Sequence, residues 1–255
     1  MKLLKMFILN NLLIRNICSA SLCNPIKTNK PLKLTSIQNI KKCFFKNNIY
    51  YDLYNDFCSS DMDCINDEEC NIYLDKDKTY VRYNSLTAEH IFPQSYLKEY
   101  KGADKDMHNI YLTSPYCNYH RSNYKYIDEE RYFIEYLHKP YHVNFEDDIK
   151  KTDLIKLNYN NYKNDKYKLY IPCTNIRGPI SRAVIYMKYI YPNIDMNMVL
   201  DNELIIEWNE MYPPTDLEKD RNKKIEILQG NRNPFISGEI SPEAIVYPKI
   251  ISIYI

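Results

Sequence analysis

Ala88-Glu89-His90-Ile91-Phe92-Pro93-Gln94-Ser95, then Asn109-Ile110-Tyr111-Leu112-Thr113, then Ser114-Pro115-Tyr116-Cys117-Asn118-Tyr119-His120-Arg121-Ser122-Asn123, is the stretch that decides the fold. The segment before it, residues 79–84 (TYVRYN), alternates apolar and polar side chains and is rich in β-prone types, so it reads as a strand. Pro93 ends regular structure after Glu89-His90-Ile91-Phe92, because a proline cannot donate to a ladder. Residues 109–113 read as a second short strand. Ser114-Pro115 then has the form of a helix start, with serine as cap and proline at the first helical position. Strand, strand, helix is thus the local order around every residue able to do chemistry here.

Working outward, Ser36 is placed to cap a helix in which Ile37, Ile40, Cys43 and Phe44 share one face. Residues 127–138 read as a helix, and residues 179–191 (PISRAVIYMKYIY) as a buried one. Residues 203–228 carry helical periodicity broken at Pro213-Pro214, with a restart capped by Thr215 and a stop at Gly230. Residues 158–170 are rich in Asn, Lys and Tyr and read as an exposed excursion. Helices mixed with short strands predict an α+β domain. No internal repeat is visible.

Composition bounds the function more weakly. The chain has 255 residues, 45% of them hydrophobic, which is enough for a sizeable core. Its formal net charge of +1 argues against a generally basic protein that coats nucleic acid. Any grip on a phosphate backbone has to come from a local patch. The surplus of Asn, Ile, Lys and Tyr with only four Gly follows AT-rich codon usage and carries no collective role.

The eight cysteines, Cys18, Cys23, Cys43, Cys58, Cys64, Cys70, Cys117 and Cys173, contain no CxxC pair. The even count fits a disulfide framework in an oxidising compartment, with the 58–70 loop involved. Residues 1–22 have a basic start, an apolar stretch and the small residues Ser19-Ala20-Ser21, the pattern of an export signal peptide. The division expected is therefore signal peptide 1–22, linker or arm 23–35, one domain 36–238 and a C-terminal tail 239–255. No apolar run reaches the ~20 residues that a membrane helix needs, so no stable membrane association is expected.

The chemistry is carried by few residues. Glu89 is a hard carboxylate ligand suited to Mg²⁺ or Ca²⁺. His90 beside it can take a proton from water near neutral pH. A Glu-His dipeptide by itself is most often two polar side chains facing water, with no chemical role. Asn118 adds a neutral hard oxygen, and Arg121 offers a bidentate fork for phosphate. Asn109 and Asn123 fit turn or cap positions as well as a direct role.

Four blocks in order resemble the bacterial endonuclease I family of periplasmic and secreted nucleases. They are residues 88–95, residues 106–113 with 118–123, residues 177–187 (RGPISRAVIYM), and residues 220–236 (DRNKKIEILQGNRNPFI). Ordered blocks of this length are more specific than one motif. The resemblance implies a ββα-metal, or His-Me finger, core surrounded by helices. It implies His90 as the general base, Glu89 and Asn118 as the protein ligands of one divalent ion, and Arg121 with Arg182 neutralising charge on the phosphoryl oxygens. The implied cofactor is Mg²⁺, with Ca²⁺ or Mn²⁺ as alternatives. The implied partners are DNA and RNA gripped through the backbone, by a secreted or periplasmic monomer.

Two departures stand out. Pro179 follows Gly178 where the family pattern has a small or acidic residue. Between His90 and His108 no arginine is present to bind phosphate, and Lys98, Lys101 and Lys105 are the substitutes on offer. A lysine is a point charge rather than a fork, so weaker positioning would follow. The competing readings are a catalytically weak nucleic-acid-binding module that keeps the fold, and a zinc-stabilised HNH-type domain. His108 is expected to support the site by hydrogen bonding, while His120 near Cys117 lacks two further zinc ligands. His138 and His142 read as surface residues.

Overall fold

The computed structural model describes residues 36–46, 49, 51–52, 57–58, 72–74, 80–82, 86–113, 115–138, 153–157 and 161–248. The signal peptide, the arm, His142 and the side chains of Cys58, Cys64 and Cys70 lie outside the described residues. So does Ser114, the expected cap of the central helix.

Helix α1 (Ile37–Lys46) leads to β1 (Tyr51–Asp52), β2 (Phe57–Cys58), β3 (Ile72–Leu74) and β4 (Tyr80–Arg82). Strands β5 (Thr87–His90) and β6 (Ile110–Thr113) follow, then helix α2 (Pro115–Arg121). Strand β7 (Lys125–Tyr126) precedes α3 (Glu129–Arg131), which widens into a π-helical turn over Tyr132–Tyr136. Strands β8 (Ile155–Lys156), β9 (Tyr162–Asn164) and β10 (Leu169–Ile171) complete the β structure. The remainder is helical: α4 (Arg177–Ile190), α5 (Asn202–Met211), α6 (Asp216–Gln229), α7 (Pro234–Ser237) and α8 (Glu243–Val246).

The expected α+β class is what the chain adopts. One sheet has the order β2-β1-β6-β5 and another the order β7-β10-β9-β8, while β3 and β4 pair with each other. In the first sheet β5 and β6 are antiparallel, with Glu89 opposite Tyr111 and His90 opposite Ile110. Strand β1 lies parallel to β6 on its other edge, pairing Asp52 with Leu112.

Three expectations shift. The 79–84 strand exists as β4, but its partner is β3, and the strand beside β6 is Thr87–His90. The 127–138 helix begins later, at Glu129, because Asp128 caps it by accepting from the Arg131 amide at 2.8 Å. Residues 161–171 are no exposed excursion. Tyr162, Asn164, Leu169 and Tyr170 are buried in the β9–β10 hairpin. Asn164 accepts from the Tyr167 amide to form the turn and donates to the Tyr132 hydroxyl.

Other boundaries follow the sequence. The Asn39 amide donates to Ser36 Oγ at the start of α1 (3.2 Å), and the Glu218 amide donates to Thr215 Oγ1 at the start of α6 (3.2 Å). Gly230 takes φ 90° and closes α6 in the left-handed conformation that glycine tolerates. Helix α4 is buried along Arg177–Met187 and forms the centre of the larger core with Trp208, Leu204 and Ile205 of α5. Gly178 permits this approach, since a Cβ there would collide with the Tyr212 carbonyl. Pro179 falls in the first turn of α4, where its missing N–H costs little. A smaller core of Ile40, Phe44, Met107, Ile110, Leu112 and Ile225 seats α1 and α6 near β6. Part of the expected tail folds, as α8 lies within it and its Val246 is buried in the larger core. Among the described residues no helix is long and apolar enough to cross a membrane.

Candidate active site

Strand β5, the segment 93–95 and the end of helix α2 line a cleft of about 470 Å³. Its lining is Ala88, Glu89, His90, Pro93, Gln94, Ser95, Asn118, Arg121, Ser122 and Asn123. Neighbouring residues of a strand point to opposite faces, so Glu89 and His90 reach one space only because β5 stops at His90. Asn109 holds that ending. Its Oδ1 accepts from the Phe92 amide at 2.7 Å and its Nδ2 donates to the Phe92 carbonyl at 3.1 Å. Pro93 then carries the chain away.

His90 Nε2 lies 2.8 Å from the Asp104 carbonyl oxygen. A carbonyl only accepts, so Nε2 carries the proton and Nδ1 is the ring's basic nitrogen. Burial lowers the His90 pKa, the Asp104 carbonyl and carboxylate oppose this, and the Arg121 charge adds to the lowering. The imidazole is therefore neutral near neutral pH, as a proton acceptor must be.

Asn118 donates through Nδ2 to Thr87 Oγ1 (3.0 Å) and to the Ala88 carbonyl (3.1 Å). Both amide hydrogens are thereby used on β5, and the amide flip is fixed with Oδ1 as its acceptor. Glu89 is 2% exposed, and its Oε1 lies 3.2 Å from Arg121 Nη1. The two side chains offer oxygen only, the donor set of a hard divalent ion, so they fit one such ion completed by water and phosphate oxygens. Among the described residues no group of three or more His, Cys, Asp or Glu side chains could hold a metal.

Arg121 reaches the cleft wall but is 1% exposed. Its Nη1 donates to the His90 carbonyl (2.9 Å) and the Ser122 carbonyl (3.2 Å), its Nη2 to the Ile91 carbonyl, and its guanidinium lies 4.5 Å from the Tyr126 ring centre. These bonds staple the end of β5 to the end of α2. Ser122, at φ 51°, turns the chain out of the helix so that Ser122 and Asn123 face the cleft.

Arg182 is a correction. It is fully buried, donates through Nε and Nη2 to Glu218 (2.7 and 2.6 Å) and through Nη1 to the Tyr212 carbonyl, and does not line the cleft. A sealed, bidentate pair has no donor to offer a phosphate. Lys98, Lys101 and Lys105 also lie outside the cleft lining.

The model of the family described as Endonuclease I matches residues 19–239. The chain belongs to the endonuclease I family. Among its relatives, an extracellular deoxyribonuclease of Aeromonas hydrophila is 28% identical over 139 residues, covering 54% of this chain and 52% of that protein. A periplasmic deoxyribonuclease of the same organism is 27% identical over 139 residues, covering 54% and 49%. An extracellular ribonuclease of Bacillus subtilis is 31% identical over 101 residues, covering 33% and 34%. The chain spans about half the length of the first two.

Family membership explains which signals were readable. Glu89 and His90 stand in the first resembling block, Asn118 and Arg121 in the second, and all four meet in one cleft. Sequence reasoning missed the Asp104 carbonyl, since a main-chain oxygen leaves no residue signature. His108 is found, as expected, in a supporting place. It is 1% exposed, its Nε2–H donates to the Asn231 carbonyl (3.0 Å), its ring packs 4.6 Å from that of Tyr186, and burial pushes its pKa down to about 3. His120 packs against Tyr116 and Tyr119.

Proposed function

We propose that this protein is an endonuclease that hydrolyses phosphodiester bonds of DNA and RNA with little sequence preference. The observation that carries the reading is the tethered His90. Its Nε2–H is spent on the Asp104 carbonyl, which leaves Nδ1 as a neutral base in a cleft shared with Glu89 and Asn118. The strand-strand-helix unit then serves as a ββα-metal core.

His90 takes a proton from the attacking water at Nδ1. Glu89 and Asn118 are the residues that would hold one divalent ion, Mg²⁺ in the first instance, and when bound it would supply Lewis-acid stabilisation of the phosphate and its leaving oxygen. Arg121 keeps Glu89 and the end of β5 in register rather than binding phosphate itself. No base-reading element is needed, since the contacts are to the backbone. The names of the relatives support DNA and RNA as substrates and an extracellular or periplasmic place of action.

Digestion of plasmid, single-stranded DNA and RNA with Mg²⁺, with EDTA, and by His90→Ala tests this. Cleavage by the unaltered protein is expected only with metal. His90→Ala should retain DNA binding and lose 10²- to 10⁴-fold in rate, roughly the worth of a general base. Full activity in EDTA would remove the metal-assisted mechanism, and full activity of His90→Ala would remove the base.

A further inference from the structure

The Asp104 carbonyl that tethers His90 belongs to a single turn, Ala103–Lys105, and such a turn is a weak anchor unless something fixes it. The residue directly after it is Asp106, which is buried and accepts three hydrogen bonds. They come from Gln229 Nε2 (2.9 Å), the Tyr186 hydroxyl (2.9 Å) and the His108 amide (3.0 Å). Gln229 grips the same turn twice, because its Oε1 also accepts from the Met107 amide at 2.7 Å. Its second amide hydrogen goes to Asn231 Oδ1 (2.8 Å), and Asn231 Nδ2 donates to the Tyr186 hydroxyl (2.7 Å). The Asn231 carbonyl holds His108. Gly230, in its left-handed conformation, is what lets Asn231 turn back into this circle.

A buried carboxylate with such a network is a poor way to gain stability. Apolar residues of similar volume are often as good or better, because desolvation cancels most of the gain. What a fully satisfied network supplies is a unique position for each member. Here Gln229 and the Tyr186 hydroxyl both bond directly to the residues that follow the Asp104 turn, Gln229 to Asp106 and Met107 and Tyr186 to Asp106.

We propose that Gln229, acting with Asp106, Tyr186 and Asn231, is a positioning residue for His90. The network fixes the 103–106 turn, and through the Asp104 carbonyl it sets which nitrogen of His90 carries the proton. The proposal rests on His90 being the base, yet it makes a claim about the imidazole that can be read without catalysis.

The test is nitrogen NMR of the full chain labelled with ¹⁵N-histidine, without metal, with the His90 signals assigned from His90→Gln. The unaltered protein is expected to show His90 in the Nε2–H tautomer. Gln229→Ala is expected to give a mixture of tautomers, and to lower kcat by roughly 10- to 100-fold with KM little changed, the effect of a misplaced reacting group. Tyr186→Phe keeps the ring against His108, removes only the hydroxyl, and should shift the tautomer the same way; it decides the matter if Gln229→Ala does not fold. Ile205→Val, a core truncation at a side chain that takes no part in the network's hydrogen bonds, should lower stability without moving the tautomer. The proposal is overturned if His90 of the unaltered protein is Nδ1–H, if the folded network variants keep both tautomer and kcat, or if Ile205→Val shifts the tautomer as they do. Should the tautomer shift as expected in a protein that cleaves no nucleic acid, the positioning role stands and the nuclease reading falls.

Discussion

Two buried arginine–glutamate pairs do different work in this molecule. Arg182 and Glu218 are both 0% exposed and joined by two charge-assisted hydrogen bonds of 2.7 and 2.6 Å. Arg121 and Glu89 are nearly as buried, but they meet at 3.2 Å on the wall of a cleft, and Arg121 divides its donors among three carbonyls. The first pair is closed on itself and ties α4 to α6. The second leaves Glu89 bordering the cleft while Arg121 stays held without it. Burial and charge alone therefore do not mark a functional arginine. What decides is whether its partner still faces a space that a ligand can enter.

Matched truncations would break this comparison or sharpen it. Glu218→Ala removes both acceptors from Arg182 Nε and Nη2 inside the protein, and about 3–5 kcal/mol of stability should go with it, the usual result of stranding a buried charge. Glu89→Ala should cost less, about 1–3 kcal/mol, because Arg121 keeps its carbonyls and the face of Tyr126. Urea unfolding of the two variants side by side measures the difference, and equal losses would mean that the cleft pair is as closed as the sealed one. Activity should order them the other way. Glu89→Ala should need more Mg²⁺ to reach a given rate, and excess Mg²⁺ should restore part of the activity. If His90→Ala instead raised the metal requirement and Glu89→Ala did not, the roles of these neighbours would be exchanged.

The sealed interior makes a smaller, pH-dependent prediction. Burial lowers the pKa of His108 to about 3 in the folded chain, against 6.5 for an unperturbed histidine. Between those values the unfolded chain takes up a proton that the folded chain refuses. Stability supplied by the neutral ring is thus present above pH 6.5 and is lost as pH falls, by up to about 1.4 kcal/mol per unit. Asp106 works in the opposite sense, since burial raises its pKa and its contribution fades as pH rises through the folded value. Urea midpoints at pH 7 and pH 5 should fall further apart for the unaltered protein than for His108→Gln, and equal slopes would refute the assignment.

The sequence made the cleft more legible than its supports. Glu89, His90 and Asn118 could be picked out because their types match a chemistry and their spacing matches a strand end and a helix face. Caps were equally readable, as Ser36, Thr215 and Gly230 show, because a cap is a local event. The errors were non-local. The pairing of strand 79–84 with β3 is not readable along the chain, because pairing partners are chosen by tertiary packing. The buried Tyr162 and Asn164 look like surface residues in a chain so rich in Tyr and Asn. Arg182 stands in a family block, and nothing along the chain reveals that Glu218 occupies it.

The order in which the chain is made gives the parallel pairing of β1 with β6 a further meaning. Strand β6 bonds on one edge to a strand about sixty residues earlier and on the other to β5, so contacts distant in sequence must close before the sheet exists. The clamp on the Asp104 turn comes later still, from Gln229, 122 residues beyond the Met107 amide it holds. A nascent chain therefore displays Glu89, His90 and Asn118 long before it can aim them. Under the proposed reading that delay is protection written into the topology: between the synthesis of Asn118 and that of Gln229 the residues proposed to cut are present and the clamp that would aim them is not.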